Sequence, residues 1–148
     1  MSISWKKYTS LARKKIRERE RKFIVEGVRL CNEALLSDWE AEVAFVTQAF
    51  TESHHWEQLE ELLRQKGIPY RVLREENFQR LTDTKTPQGV LMVMSMFDFR
   101  IDQIDWHKTK FVICLDGIRD PGNLGTLIRT ADWYGVQAIF LSLDCVDQ

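Results

Sequence analysis

The fold of the carboxyl-terminal part of this chain is decided by residues 111–135, which read FVICLDGIRDPGNLGTLIRTADWYG. Five apolar residues at 111–115 predict a short buried strand. The Asp-Pro-Gly-Asn sequence at 120–123 then predicts a turn. Proline fixes its own φ, glycine permits a positive φ, and Asp or Asn can cap a following helix. The strand is therefore expected to end in a turn that leads directly into a helix.

The residues after this turn have the period of a helix. Apolar side chains at positions i, i+3, i+4 and i+7 form one face, and they are Leu124, Leu127, Ile128 and Ala131. Gly135 is typical of a helix end, and residues 136–141 predict the next strand. A turn between a strand and a helix is where open α/β sheets bind ligands. The glycine spacing excludes a dinucleotide fingerprint, and the absence of Gly-Lys-Ser/Thr excludes a Walker loop.

The same stretch resembles the first signature motif of the SpoU/TrmH branch of the SPOUT RNA methyltransferases. That motif reads Asp-x-Ile-x-Asp-Pro-x-Asn-x-Gly, then a few apolar or small residues, then Arg-Thr-Ala and a glycine. The matching positions are Asp116, Ile118, Asp120, Pro121, Asn123, Gly125, Arg129, Thr130, Ala131 and Gly135. The resemblance implies methylation of RNA ribose 2′-hydroxyls by S-adenosylmethionine, with Asn123 and Arg129 as the catalytic residues. It also implies a homodimer.

Composition limits the class of protein. The 148 residues are 44% hydrophobic and 29% charged, which suits one domain or one small domain plus part of another. There is no apolar run of about 18 residues and no hydrophobic signal segment, so we expect a cytoplasmic protein without membrane contact. The three cysteines lie far apart in apolar surroundings, which predicts reduced, buried thiols. The histidines have no metal-ligand spacing with them, so no metal is expected.

Charge is distributed unevenly along the chain. Residues 1–29 contain ten Lys/Arg and three Glu, whereas residues 30–148 contain eleven Lys/Arg and nineteen Asp/Glu. A basic end on an acidic protein is a candidate contact for nucleic-acid phosphates. The candidate RNA-binding residues are Lys14, Lys15, Arg17, Arg21, Lys22, Glu26 and Arg29. The alternatives are a solvated helix face for the basic residues and a helix cap for Glu26.

Strand and helix patterns alternate through residues 1–97, which predicts a three-layer α/β domain with a largely parallel sheet. The segment begins with a predicted basic helix over residues 5–22. Its predicted strands are 23–25, 43–47, 70–73 and 89–96, with helices between them. Residues 98–109 are polar and have no clear period, so they are predicted to be a linker to a second domain at 110–148.

Two segments of the first domain carry a further resemblance. Residues 21–30, RKFIVEGVRL, and 86–90, TPQGV, are similar to the substrate-binding domain of ribosomal-protein-like fold that precedes the catalytic domain in many SpoU-type enzymes. This implies a substrate-binding domain at 1–97 and the start of an α/β knot methyltransferase domain at 110–148. The implied partner is structured RNA, and this architecture favours ribosomal over transfer RNA.

Several alternatives stay open. Asn123 is also a candidate N-cap, Arg129 a candidate surface charge, and Gln88-Gly89 a simple turn. In the family, further motifs form the knot that holds S-adenosylmethionine, so the cofactor site is expected beyond Gln148 and this chain is expected to be inactive alone. One alternative function is a non-catalytic RNA-binding module. Another is a small-molecule or nucleotide-binding α/β domain, which the missing glycine fingerprints disfavour.

Overall fold

The computed structural model of the chain describes residues 3–97 and 99–146. The backbone divides into two units, Met1–Phe97 and Asp98–Gln148. Residues 1, 2, 98, 147 and 148 lie outside the described residues, and residue 98 is the first position of the predicted linker.

The first unit alternates helices and strands. In chain order these are a 3₁₀ helix Trp5–Ala12, α1 Lys14–Glu20, β1 Lys22–Glu26, α2 Val28–Leu36, β2 Ala41–Thr47, α3 Gln48–Thr51, α4 Trp56–Gln65, β3 Tyr70–Leu73, α5 Glu75–Phe78 and β4 Val90–Ser95.

The single basic helix predicted over residues 5–22 is wrong. The backbone is extended at Arg13, which separates the 3₁₀ helix from α1. Tyr8 and Leu11 are buried three residues apart, as in one 3₁₀ turn, and Ile16 packs against the same core. The break at Arg13 therefore divides this segment into two short helices, and both contribute side chains to the same core.

The sheet of the first unit is mixed, with the strand order β1-β4-β2-β3. β2 and β3 are parallel, whereas β4 lies between β1 and β2 and is antiparallel to both. The prediction of a largely parallel sheet is therefore wrong for the pairings, although β1, β2 and β3 run in one direction. The pairing differs because the last strand of the unit enters the centre of the sheet rather than extending its edge.

Helices cover both faces of this sheet, which confirms the three-layer α/β architecture. On one face α2 and α4 contribute Cys31, Leu35, Leu59 and Leu63 to a core with Val46 and Met92. On the other face the 3₁₀ helix and α5 contribute Tyr8, Leu11 and Phe78 to a core with Phe45 and Val93. Each fully buried aliphatic or aromatic side chain contributes about 1.5–3 kcal/mol to folding.

The second unit contains the predicted strand-turn-helix-strand arrangement. Its elements are a 3₁₀ helix Ile101–Gln103, β5 Val112–Leu115, α6 Pro121–Trp133 and β6 Ala138–Leu141. β5 and β6 form a parallel pair in which Val112 lies opposite Ala138. The connection of two parallel strands through α6 is a βαβ unit, as the sequence predicts.

Two expectations for the second unit need correction. The predicted linker includes the 3₁₀ helix, and its Trp106 ring stacks on Phe140 of β6 with centroids 6.3 Å apart. Cys114 is exposed rather than buried, whereas Cys31 and Cys145 are buried as predicted. Cys114 is exposed because the described residues leave its part of the β5 face uncovered.

Gly89, immediately before β4, and Gly67, shortly before β3, provide a matched test of packing. Gly89 has a φ of +80°, and a Cβ there would lie 2.5 Å from Thr47 Oγ1, whereas Gly67 has a φ of +67° and nothing within 4 Å. We expect Gly67→Ala to lower the free energy of unfolding by about 1–2 kcal/mol through backbone strain alone. Gly89→Ala should cost roughly 1–3 kcal/mol more because of overpacking. Urea denaturation measures both, and equal effects would contradict the close approach at Gly89.

Candidate functional site

The loop between β5 and α6 is built by a helix cap at Asp120. The Asp120 Oδ1 atom accepts a hydrogen bond from the Asn123 backbone N–H at 2.7 Å, and Pro121 begins the helix. Pro121 suits this position because its missing N–H would have no partner in the first turn. Asp120 is therefore the N-cap, and the alternative assignment of Asn123 as the cap is wrong. The Asn123 side chain is exposed and has no hydrogen-bond partner among the described residues.

The Arg129 side chain extends along α6 towards the start of the helix and reaches about one turn back. Its Nη2 atom donates to Thr126 Oγ1 at 3.1 Å. A Cβ at Gly125 would lie 3.2 Å from Arg129 Nη1, so the glycine leaves room for the guanidinium. Long helical side chains point towards the helix N-terminus, which directs Arg129 towards the loop. The Arg129 guanidinium thus lies near the second turn of α6, whereas Asn123 belongs to the first turn, and no hydrogen bond joins them.

The β5–α6 loop is also bonded to the segment after β6. The Gly117 N–H donates to Ser142 Oγ at 3.1 Å, and the Ile118 N–H donates to Cys145 Sγ at 3.3 Å. In return, the Val146 N–H donates to Ile118 O at 2.7 Å. These bonds join the carboxyl ends of the two parallel strands, which is the edge where α/β sheets bind ligands.

The described residues of the second unit line one cavity that does not suit S-adenosylmethionine. Their cavity of about 230 Å³ is lined mainly by apolar side chains, including Ile113, Leu127 and Ile139. The Thr130 hydroxyl also lies there, but it already donates to Thr126 O at 2.8 Å. A ribose and an amino-acid head group need several free polar partners, so this cavity does not suit them.

In the first unit, Arg17 acts within the fold. Its Nη1 atom donates to the carbonyl oxygens of Leu11 and Ala12, at 2.7 and 3.0 Å. These carbonyls belong to the last turn of the 3₁₀ helix and would otherwise lack a helical partner. The predicted RNA contact at Arg17 therefore competes with a structural role.

The neighbouring basic residues differ in how they are held. Arg21 Nη2 donates to Phe97 O at 2.5 Å, next to the start of β1. Lys14 Nζ lies 4.0 Å from Glu18, in a long ion pair along α1, and Lys15 is exposed. An ion pair at this distance on the surface contributes little to stability.

Lys22 takes part in a charge cluster around Glu42. Lys22 Nζ lies 2.5 Å from Glu42 Oε2 and Lys7 Nζ lies 3.0 Å from Glu42 Oε1. Partial burial opposes ionisation of this carboxyl, but hydrogen bonds from Lys22, Lys7 and Tyr8 outweigh it and lower the pKa of Glu42 to about 2. Lys22 therefore joins β1 to β2, and its charge is largely compensated.

Glu26 and Arg29 lie around the start of α2. The Glu26 carboxylate accepts a hydrogen bond from the Thr84 hydroxyl, which connects the end of β1 to the loop before β4. Arg29 Nε donates to Glu33 at 2.8 Å, one turn along α2, and the Arg29 side chain is highly exposed. Glu26 thus has a loop-fixing role, while Arg29 is open to solvent.

The predicted RNA contacts fall at two opposite ends of the sheet. Lys22 pairs with Ser95 at one end of β1, and Glu26 pairs with Leu91 at the other. They are four residue positions apart along the strand, which is about 13 Å. Lys14, Lys15, Arg17 and Arg21 precede Lys22 in the chain, whereas Arg29 follows Glu26. Glu26 and Arg29 therefore lie at the other end of β1 from Lys22.

Sequence reasoning missed two further cations at the Glu26 end. Arg74 follows β3, and Lys85 follows Thr84 in the loop before β4; both are exposed. Neither has an ion-pair partner within the part of the chain that the structure describes. The position of Arg74 directly after a strand is a sequence signal, because residues that follow parallel strands gather at one edge of a sheet. Lys85 reaches the same edge because β4 is antiparallel, which only the strand order shows.

Comparison with known proteins decides the family. The profile of the MRM3-like substrate binding domain matches residues 4–92 of the chain. The chain belongs to this family. It is 35% identical over 137 residues to the 23S rRNA (guanosine(2553)-2′-O)-methyltransferase RlmP of Bacillus subtilis, covering 93% of the chain and 49% of that protein. It is 30% identical over 138 residues to human mitochondrial rRNA methyltransferase 3, covering 88% of the chain and 31% of that protein.

Solved structures agree with this family assignment. The AdoMet-bound rRNA methyltransferase from Sinorhizobium meliloti matches with a TM-score of 0.76 and 29% identity, over 96% of the chain and 52% of that structure. The SpoU methyltransferase AviRb from Streptomyces viridochromogenes has the same fold, with a TM-score of 0.75 at 23% identity. The predicted resemblance to SpoU/TrmH proteins is confirmed. The chain spans about a third to a half of the length of the relatives it matches.

Residues 3–97 and 99–146 contain neither a metal-binding cluster nor a membrane-spanning helix. No group of His, Cys, Asp and Glu in these ranges could hold a metal ion. None of the helices they form is long and apolar enough to cross a membrane.

Replacing Glu42 with glutamine tests the charge cluster. The folded-state pKa of about 2 lies below the ordinary value of 4.5, so the carboxylate stabilises the fold above pH 4.5 and loses this effect as the pH falls through 2. We expect Glu42→Gln to lower the free energy of unfolding by about 0.5–1 kcal/mol at neutral pH. The deficit should shrink between pH 4.5 and 2 in urea titrations. Glu57→Gln is the exposed control, and a deficit independent of pH would contradict the cluster.

A second pair of variants tests the cap of α6. Asp120→Ala removes the acceptor for the Asn123 N–H and should lower the free energy of unfolding by about 1 kcal/mol. Asn123→Ala keeps that backbone bond and should change it by less than about 0.5 kcal/mol. Chemical denaturation followed by Trp fluorescence compares them. A larger loss for Asn123→Ala would return the capping role to Asn123.

Proposed function

We propose that the whole protein methylates RNA ribose 2′-hydroxyls with S-adenosylmethionine, and that its substrate is ribosomal RNA. The motif from Asp116 to Gly135 carries this proposal, because it forms the predicted strand-loop-helix, with Asn123 in the first turn of α6 and the Arg129 guanidinium directed back to Thr126. The first unit belongs to a substrate-binding family, and the relatives are named as rRNA methyltransferases. The motif and the names of the relatives both favour the same reaction.

Arg129 is proposed to act electrostatically. Its guanidinium has a pKa above about 12, so it is a poor proton acceptor. It can instead stabilise the negative charge that develops on the 2′-oxygen and bind the adjacent phosphate with two hydrogen bonds. Its bond to Thr126 fixes the side chain over Gly125 and leaves other guanidinium donors for substrate.

Asn123 is proposed to position the ribose or Arg129. Because Asp120 caps the helix, the amide of Asn123 is not needed for the fold and both its donor and its acceptor are available. S-adenosylmethionine supplies the methyl group, and its site is proposed to lie in the part of the whole protein beyond Gln148. A homodimer and a cytoplasmic location are part of the same proposal.

The first unit is proposed to hold the RNA. Contacts from lysine and arginine to phosphates supply affinity and positioning rather than sequence choice. Arg29 and Lys15 are the most accessible of the predicted contacts, whereas Arg17 and Lys22 have structural partners that they would have to exchange.

The test uses a chimaera that continues this chain beyond Gln148 with the corresponding part of the Bacillus subtilis relative. We expect transfer of labelled methyl from S-adenosylmethionine to a 23S rRNA transcript, recovered as 2′-O-methylnucleoside, and no transfer by the 148-residue chain. Arg129→Ala should lower turnover about 100-fold or more while sparing binding of labelled S-adenosylmethionine. Arg119→Ala, a change at an unmatched position of the same loop, is the control.

Other results would decide against parts of the proposal. Unchanged turnover in Arg129→Ala would remove Arg129 from the mechanism. A chimaera that binds RNA and S-adenosylmethionine but transfers no methyl would contradict the activity. Methyl transfer by the chain alone would show that the described residues supply the cofactor site after all. RNA binding without any cofactor binding would favour a non-catalytic RNA-binding module.

A further inference from the structure

A second candidate site lies at the end of the first sheet where β1, β2 and β3 finish and β4 begins. The structure has a cavity of about 330 Å³ there, close to the lower limit of roughly 300–1,000 Å³ for small-molecule sites. The lining residues that matter are Val28, Phe50, His55, Glu75, Pro87 and Gln88. They come from both ends of the unit and meet only because β4 enters the centre of the sheet.

One wall of the cavity is fixed by hydrogen bonds. Gln88 Oε1 accepts from the Val28 backbone N–H at 2.8 Å, at the start of α2. Gly27 has a φ of +94°, and a Cβ there would lie 2.8 Å from Gln88 Oε1, so only glycine permits this approach. The Thr47 N–H donates to Gly89 O at 2.9 Å, which fixes the next residue of the loop.

This arrangement determines the orientation of the Gln88 amide. Because its oxygen accepts from Val28, its nitrogen is left as the donor. No acceptor for Gln88 Nε2 exists among residues 3–97 and 99–146, and the side chain is exposed. The chain therefore presents an oriented amide donor at the rim of a cavity, without using it in the fold.

The chemistry of the lining suits a flat heterocycle. Val28, Phe50 and Pro87 provide apolar surface, and the His55 imidazole can stack on a ring. Gln88 supplies a donor and the Glu75 carboxylate an acceptor, which is the combination that reads the edge of a base. The carboxylate also disfavours a phosphate inside the cavity, because two negative groups would repel each other.

Three cations lie close in sequence to residues that line the cavity, without lining it themselves. Arg29, Arg74 and Lys85 each lie within two residues of a lining residue, on three different elements, and all three are exposed. Such an arrangement suits a polyanion whose phosphates pass outside while one uncharged group enters.

We propose that this cavity binds one unpaired nucleobase of the RNA, with Gln88 and Glu75 at its hydrogen-bonding edge and Arg29, Arg74 and Lys85 at the flanking phosphates. The proposal rests on the proposed function only in taking RNA as the partner. It assigns base recognition to the Gln88 end of the sheet and leaves the Lys14–Lys22 stretch to phosphate contact.

The experiment measures binding of the 148-residue chain to fluorescein-labelled RNA hairpins by anisotropy. One set has loops of a single base type, and a matched hairpin has abasic loop nucleotides. At least one base-bearing loop should bind about tenfold or more tightly than the abasic loop. Equal affinity for all loops, or no RNA binding, would overturn the proposal.

Single and double variants distinguish base recognition from phosphate contact. Gln88→Glu keeps an oxygen to accept from Val28 and replaces the donor, so it should abolish the base preference without changing stability. Gln58→Glu on α4 makes the same charge change and should retain the preference. Arg74→Ala with Lys85→Ala should weaken both kinds of hairpin and reduce the salt slope by about 0.9 per cation. A base preference that survives Gln88→Glu would overturn the pocket.

The outcome is independent of the methyl-transfer test. A base preference in the chain together with an inactive chimaera would support the pocket and contradict the methyltransferase proposal. An active chimaera whose first unit shows no base preference would do the reverse.

Discussion

The insertion of β4 between β1 and β2 is the constraint on which the first unit depends. Residues Val90 to Met94 are at most 1% exposed, because β4 is paired on both sides and covered on both faces. Alternate side chains of this strand belong to the two cores. The strand also brings its preceding loop, residues 82–89, against the ends of β1 and β2. The position of one strand thus sets the layers, the cores and the composition of both sheet ends.

The two sheet ends consequently differ in electrostatic character. At the end where β1 begins, Lys22 and Lys7 converge on Glu42, and the low pKa of that carboxyl reflects their compensation. At the end where β1 finishes, Arg74 and Lys85 have no such partner among the described residues. A cation without an intramolecular partner binds a phosphate without first giving up an ion pair. The basic sequence at the start of the chain is therefore an incomplete guide to where exposed, uncompensated cations lie.

In the second unit, the motif residues divide into those that build the loop and those left free by it. Asp120 and Pro121 start the helix, and Gly125 provides space for a guanidinium rather than a flexible turn. Because these residues meet the local requirements of the backbone, Asn123 keeps an unused amide and Arg129 retains free donors. The fold of the loop and the chemistry proposed for it are thus carried by different side chains of one short segment.

The sequence by itself determined the family and the strand-loop-helix of the second unit, although it predicted one helix before β1 where the structure has two. The strand, loop and helix from residue 112 to 133 follow from apolar period, proline and capping residues, all of which act within one or two turns. Tertiary structure alone decided that β4 lies antiparallel at the sheet centre, that Arg17 closes a 3₁₀ helix, and that Gln88 bonds Val28 across 60 residues. Such pairings depend on which distant segments meet, and a period or a cap contains no information about that. The candidate catalytic residues could therefore be selected from a local motif, whereas the grouping of the RNA contacts could not.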